Sequence, residues 1–437
     1  MRILILGANL VGRSLAEILG QEGHDIVVVD ESRSLLSHLQ EQMDVLTVAG
    51  RPSYPEVLVK AGIEEADIVI AVTENDEVNM VACQVAHALF KIKHKIARVS
   101  SPHYHIRDHL YGHAHFPIDV YINPERILSR AMRDLLKFSG AQEALSLIKQ
   151  QLTILIVRAD NAINEASFAP EHGCLYIQSH GRWVPISAQD VQEGMLVLLA
   201  CLTDKVTGWL EVLCQDTKPS QHMIIMGAGP VTSHLIDRIG DDYHIKVIES
   251  SKVKACELAS EHENALVFEG DPTDRWFLNV EGIGQTDTFM ALSDDDEDNL
   301  IACLQAKSMG VNRTIALINH LGYTTGFAQD LIDIIISPQE LIASQIISSI
   351  YHKHFIRTRS FSRGHAIVFE WKIISDSKWC GRQCGDIMQW AGMTVLAVYT
   401  GQEILLHNLN MVLEQGYVVI LMVDKDLSVR YIDRLTK

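Results

Sequence analysis

Short apolar runs alternate with helically spaced stretches along the first third of the chain. Residues 3–6, 25–29, 45–48, 68–72, 96–99 and 120–122 are rich in Ile, Val and Leu, the composition of buried strands. Between them, residues 14–19, 34–42 and 79–90 carry apolar residues at the i, i+3, i+4 spacing that lays one stripe along a helix. Six strands alternating with helices predict a parallel, doubly wound, Rossmann-like sheet, because parallel neighbours need a crossover connection. Residues 125–138 then read as an amphipathic helix leaving that sheet, with Leu128, Met132 and Leu135 on one stripe. Such a stripe needs a packing partner, and a second subunit is the candidate.

After Gly140 the pattern changes to short β-prone segments at 153–157, 175–178, 183–186 and 195–201, which predict a smaller β-rich domain. The whole order then recurs. Gly7, Gly50, Asp76 and Asn79 match Gly227, Gly270, Asp296 and Asn299 at a constant offset of 220, and Ala82-Cys83 reappears as Ala302-Cys303. Residues 118–125 are echoed at 332–339 with a slightly smaller offset, so a short gap lies between. The second copy has β segments at 366–371, 395–399, 404–406 and 418–423, and in both copies a glycine turn, Glu193-Gly194 or Glu414-Gln415-Gly416, precedes the last apolar strand. The predicted fold is therefore α/β: a tandem duplication of a doubly wound parallel-sheet domain followed by a smaller β-rich α+β domain. The expected boundaries are 1–138, 139–218, 219–355 and 356–437, with Lys218-Pro219-Ser220 as the linker between copies.

Charge narrows the function. The 437 residues carry 37 Lys+Arg against 55 Asp+Glu, a formal charge of −18. The excess divides as −8 over residues 1–218 and −10 over 219–437, which fits two copies of one unit. An acidic chain is a poor binder of nucleic acid or of anionic lipid. Its densest apolar segment, 196–202, is far shorter than the ~20 residues of a spanning helix, so no direct lipid insertion is expected. The first strand follows Met1 directly, leaving no room for a secretion signal, and a cytoplasmic location is expected. Eight scattered cysteines make no framework and are expected to be mostly buried thiols.

Candidate chemistry sits at the first strand-to-helix turn of each copy. A dinucleotide fold places Gly-x-Gly-x-x-Gly there, for the turn, for the approach of pyrophosphate and for helix packing, with helix N–H groups facing the phosphates. The first copy reads Gly7-Ala8-Asn9-Leu10-Val11-Gly12 and keeps the first and third glycines. Asn9 tolerates unusual backbone angles but brings a side chain to the phosphate position. The second copy reads Gly227-Ala228-Gly229-Pro230-Val231-Thr232, keeps the first two glycines, and places Pro230 in the first helical turn. An acid ends the second strand in both, Asp30 and Glu249, at 23 and 22 residues after the first glycine. That spacing suits a carboxylate accepting ribose hydroxyls and disfavours a 2′-phosphate.

Around each turn lie further candidates. Thr73-Glu74-Asn75-Asp76 and Ser293-Asp294-Asp295-Asp296 follow the fourth strands, either as helix caps or as the border of the crevice where a nucleotide lies. Arg98, at the end of the fifth strand, is either a surface charge or a phosphate ligand, and the second copy has Ala316 or Leu317 there. Asp271, just beyond Gly270, joins the second set. Metal sites are not expected: His103, His105, His109, His113 and His115 lack cysteine and carboxylate partners apart from Asp108, and Cys380 and Cys384 have no second pair and read as loop thiols. The run from Asp294 to Asp298 lacks the glycine and terminal Glu of a calcium loop and reads as a solvated helix start. No repeated acid-base arrangement marks a catalytic centre, so no catalytic residue is assigned.

Taken together, Asp67-Ile-Val-Ile-Ala-Val-Thr73, Asp76-Glu-Val-Asn-Met-Val-Ala-Cys-Gln84, Ile96-Ala-Arg98 and Ile334-Ile-Ile-Ser-Pro338 make the chain resemble the cytosolic regulatory subunits of bacterial Trk potassium-uptake systems. The resemblance spans essentially the whole chain. It implies tandem RCK domains whose N-terminal halves bind NAD(H) or ATP/ADP, a homotetrameric ring, and a membrane-embedded potassium channel subunit of the TrkH/TrkG type as partner. It implies gating rather than catalysis, at the inner face of the cell membrane. Asn9, Thr232 and Ser100, where an arginine often follows Arg98, depart from the family pattern. The competing classes are an NAD-dependent oxidoreductase with a degenerate substrate domain and a free-standing nucleotide or redox sensor.

Overall fold

The computed structural model describes residues 1–105, 110–112, 115–163, 173–179, 182–186, 190–214, 220–320, 331–350, 355–361, 366–375, 377–389 and 393–424. Lys218 and Pro219 of the expected linker, and His109 and His113 of the histidine-rich run, lie outside the described residues.

The first parallel sheet comprises β1 (Arg2–Leu6), β2 (Asp25–Asp30), β3 (Leu46–Ala49), β4 (Ile68–Ala71), β5 (His94–Arg98) and β6 (Val120–Ile122). Its order is β3-β2-β1-β4-β5-β6, so the winding reverses between β1 and β4. Helices α1 (Leu10–Gln21), α2 (Arg33–Gln42), α3 (Pro55–Lys60), α4 (Asp76–Phe90) and α5 (Pro102–His105) connect the strands, and α6 (Pro124–Leu136) leaves the last one. The central strands are continuous apolar runs because both faces are covered: Ile3 to Leu6 are fully buried, as are Val28 and Val29.

A five-stranded antiparallel sheet follows, built from β7 (Ala141–Leu147), β8 (Leu152–Arg158), β9 (Gly173–Ser179), β10 (Arg182–Pro185) and β11 (Leu196–Leu202), with α7 (Val206–Leu213) behind it. Its order is β10-β9-β11-β8-β7. Strand β7 and helix α7 are additions to the elements read from the sequence. Ala, Gln, Glu and Leu give β7 helical propensity, which pairing with β8 from Ala141 to Leu147 overrides.

The second copy repeats the design. Its parallel sheet holds β12 (His222–Met226), β13 (His244–Glu249), β14 (Ala265–Glu269), β15 (Thr288–Ala291), β16 (Arg313–Leu317) and β17 (Ile334–Ile336), in the order β14-β13-β12-β15-β16-β17. Helices α8 (Pro230–Ile239), α9 (Lys252–Glu261), α10 (Arg275–Val280) and α11 (Asp296–Ser308) cross over, and α12 (Pro338–Ile350) leaves the sheet. The last sheet contains β18 (Phe355–Phe361), β19 (Ala366–Lys372), β20 (Met393–Tyr399), β21 (Ile404–Leu406) and β22 (Val418–Asp424). Strand β18 was likewise not legible beforehand.

The chain forms two compact units. One contains Met1–Pro124 with Gln339–Ile350, the other Glu125–Pro338 with Tyr351–Lys437. In the second unit Leu128, Met132 and Leu135 of α6 are buried within their own chain, and the helix is hydrogen-bonded to residues of the second copy. Tyr243 Oη donates to the Leu136 carbonyl at 3.2 Å, and Arg238 Nε donates to Ser129 Oγ at 3.1 Å. Arg313, at the start of β16, donates through Nη2 to the carbonyls of Leu135 and Ala141 at 3.3 and 2.6 Å. A cation at carbonyls left open by a helix C-terminus is the favourable end for positive charge. Burial pulls the Arg313 guanidinium down to about 10, so it remains charged at neutral pH. The antiparallel sheets in this unit share one apolar core, in which Leu152, Ile154 and Leu198 pack with Ala366, Leu396 and Ile420.

Replacing Arg313 with Met should lower the stability of the full chain by about 2–4 kcal/mol, because two buried carbonyls lose their donor. Calorimetric melting of the variant beside the parent checks this.

Candidate functional site

Each site begins where the first strand of a parallel sheet passes into its helix. Gly7 has φ +116° and Gly227 φ +98°, left-handed conformations that a side chain resists. A Cβ on Gly7 would stand 2.9 Å from the Thr73 nitrogen, and one on Gly227 would stand 3.1 Å from the Ser293 nitrogen. At the third motif position the copies diverge. A Cβ on Gly12 would fall 1.9 Å from the Gly7 carbonyl, whereas Thr232 fits and its Oγ1 donates to the Gly227 carbonyl at 2.7 Å.

The acids predicted to end the second strands reach back to these turns. Asp30 Oδ2 accepts from the Ala8 N–H at 2.7 Å, and Glu249 Oε2 accepts from the Ala228 N–H at 2.8 Å. Their other oxygens take the N–H groups of Ser32 at 2.8 Å and Ser251 at 2.7 Å. Each carboxylate thus locks the glycine turn to the next helix and keeps acceptor capacity for further hydroxyls.

Asn9 decides the difference between the copies. Its backbone is ordinary, with φ −66° and ψ 179°, so the unusual angles expected of this position do not occur. The side chain caps α1: Oδ1 accepts from the Gly12 N–H at 3.1 Å, and Nδ2 donates to the Val72 carbonyl at 2.7 Å. Leu10 and Val11 form the first turn behind it. Gly229 stands in the same place with no capping side chain, followed by Pro230 at the first helical position and half-buried Val231.

A cavity of about 450 Å³ opens at the second turn. It brings together Gly227, Ala228, Gly229, Glu249, Asp271, Ser293 and Asp294, while Pro230 and Val231 stay outside its lining. Its size falls within the range of small-molecule sites. Asp271 is held by Thr273, whose Oγ1 and N–H donate at 2.7 and 2.8 Å and keep its carboxyl below the usual range. In the first copy, Thr73 is half-buried, Glu74 is exposed, and Arg98 Nε donates to Ser100 Oγ at 3.2 Å.

The sequence reading placed Asp76 and Asp296 at the crevice but gave no role to Asn79 and Asn299, which hold its far wall. Asn79 and Asn299 are fully buried. Asn79 Nδ2 donates to the carbonyls of Thr73 and Arg98, both at 3.0 Å, and its Oδ1 accepts from the Thr73 N–H and Oγ1. Asn299 repeats this with Ser293 and Leu317. Asp76 receives the N–H groups of Ser100 and Ser101, and Asp296 those of Asn319 and His320, both at 2.8 Å. The signal was present: polar residues repeated on the buried face of an otherwise apolar helix. The run from Asp294 to Asp298 is accordingly only partly a solvated helix start, since Asp295 caps α11 and Asp296 is buried. Of the two cysteines read as loop thiols, Cys380 is exposed, but Cys384 is buried in the core of the last sheet and its thiol is pushed up to about 11.

The fold and these sites define a duplicated dinucleotide-type protein with two related turns per chain. The TrkA-N domain family matches residues 3–124 and 223–338. The Trk system potassium uptake protein TrkA of Vibrio alginolyticus is 33% identical, the match covering 97% of this chain and 96% of that one. Its counterpart in Haemophilus influenzae is 31% identical over 97% and 96%. Among solved structures, the GsuK RCK domain matches 100% of this chain and 95% of its own, with a TM-score of 0.63 and 18% identity; this likeness supports the fold. The chain belongs to the Trk system potassium uptake protein TrkA family.

Burial pushes the Asp296 carboxyl up, but the N–H groups of Asn319 and His320 and their side chains outweigh it, so its net shift is downward. A carboxylate with a lowered folded pKa contributes stability above its unfolded value near 4, and the contribution disappears as pH falls through the folded value. The stability difference between parent and Asp296→Asn should therefore be full at neutral pH and shrink below about pH 4. Urea melts across that range measure it.

Proposed function

We propose that the chain is the nucleotide-binding regulatory subunit of a Trk-type potassium uptake system, with NAD(H), and also ATP or ADP, as the ligands to test. Family membership supports the system. The observation that carries ligand binding is the second-copy cavity, where an uncapped glycine turn and the Glu249 carboxylate meet in about 450 Å³. The N–H groups of α8 would receive phosphate, and the free acceptor sites of Glu249 would receive ribose hydroxyls. In the first copy the Asn9 carboxamide already occupies the Gly12 N–H, so we assign one working nucleotide site per chain.

The partner is a membrane-embedded potassium transporter subunit, reached at the inner face of the membrane through a homotetrameric ring. No helix among the described residues is long and apolar enough to cross a membrane, and a formal charge of −18 favours a protein partner over anionic lipid. Regulation then needs only differential affinity for two ring conformations. Moving from 1:99 to 99:1 requires about 5.5 kcal/mol, or roughly 1.4 kcal/mol at each of four sites, about a tenfold affinity difference per chain.

Calorimetry on the full chain, with folding verified by circular dichroism, should give a stoichiometry of one that Glu249→Ala abolishes. Potassium uptake in cells carrying Glu249→Ala should lose its nucleotide dependence. Unchanged binding in that variant would sink the assignment. In Asn9→Gly the freed helix terminus should raise the stoichiometry toward two.

A further inference from the structure

The two copies surround their turns with different charge. Among the described residues lining the second-copy cavity, the carboxylates are Glu249, Asp271, Asp294, Asp295 and Asp298, and the one cation is Lys254. Five carboxylates against one ammonium leave a formal excess of four negative charges. In the first copy the places of Asp271, Asp295 and Asp298 hold Arg51, Asn75 and Val78, and Arg98 stands where the second copy has Leu317. Asp295 caps α11, Glu249 and Asp271 accept from N–H and O–H donors of the surrounding loops, and Asp294 and Asp298 stand exposed on the rim.

We propose that the second-copy cavity selects its nucleotide by charge, taking the oxidised nicotinamide dinucleotide in preference to the reduced form, ADP or ATP. The inference rests on reading this cavity as the nucleotide site. All four ligands offer the same adenosine and phosphates to the glycine turn and to Glu249, so those contacts do not separate them. Their charges do: about one net negative charge for NAD⁺, two for NADH, three for ADP and four for ATP at neutral pH. A like charge brought among carboxylates in net excess is repelled at every distance shorter than the screening length, about 10 Å at 0.1 M salt. The cationic ring of NAD⁺ offsets part of its pyrophosphate charge, and reduction removes that offset. The specificity-determining residues are Asp271, Asp294 and Asp298.

The test is equilibrium binding of NAD⁺, NADH, ADP and ATP to the full chain, with EDTA present and Glu249→Ala as the blank. At low ionic strength NAD⁺ should bind several-fold more tightly than NADH and on the order of tenfold more tightly than ADP, the gap closing at 0.5 M salt. Asp294→Asn with Asp298→Asn, both at exposed positions, should bring ADP within about threefold of NAD⁺. Asp271→Arg, which installs the residue of the first copy, should do the same. Equal affinity for NAD⁺ and ADP in the parent, or a preference that none of these variants moves, overturns charge selection while leaving the site intact. Absence of binding by all four nucleotides overturns the site itself.

Discussion

Parallel strands end with backbone groups that no ladder can satisfy, and the region around each turn depends on the few buried side chains that bind them. Asp30 and Glu249 take N–H groups from the glycine turn and from the next helix. Asn79 and Asn299 tie the ends of β4 and β15 to those of β5 and β16. An unpaired buried amide costs about as much as several surface contacts supply, so these residues hold the crevice in one shape. The same requirement explains why they recur in both copies while their neighbours drift.

Drift has nonetheless made the copies unequal. At the N-terminus of α1 the amide is satisfied within the chain by Asn9, whereas Gly229 leaves the corresponding terminus of α8 to other partners. Elsewhere an interaction survives a change of residue. Lys95 on β5 places its ammonium 2.9 Å from Asp119, and where the second copy has Thr314, Lys307 of α11 reaches Asp333 at 2.6 Å instead. Each copy thus pairs this acid with a lysine, supplied by a strand in the first and by a helix in the second. Nothing comparable has replaced Asn9 in the second copy, which is why the two turns differ in chemistry as well as in sequence.

The crossover helices carry the chain between structural units. Helix α6 belongs with the second parallel sheet, anchored by Tyr243, Arg238 and Arg313, and Gln339–Ile350 groups with residues 1–124. A cut between the copies would therefore leave each unit without one of its helices. Function assigned to the second cavity accordingly belongs to the whole chain, because the unit that contains it is assembled from both halves of the sequence.

Much was legible in the sequence alone. Apolar periodicity and the 220-residue offset determined the alternation of strands and helices, the duplication and the places of the glycine turns, because these depend on local spacing. The acids at the ends of β2 and β13 followed from distance along the chain. Strand β7 escaped because its composition favours helix and only pairing with β8 makes it a strand. Asn79 and Asn299 escaped because their partners lie across neighbouring strands. Whether Asn9 would bar or merely border the turn could not be read from its identity; the reach of its carboxamide to Gly12 and Val72 decides it. Which surface receives α6, and how many carboxylates converge on one cavity, are likewise three-dimensional facts, since residues far apart in the chain meet only after the sheets form.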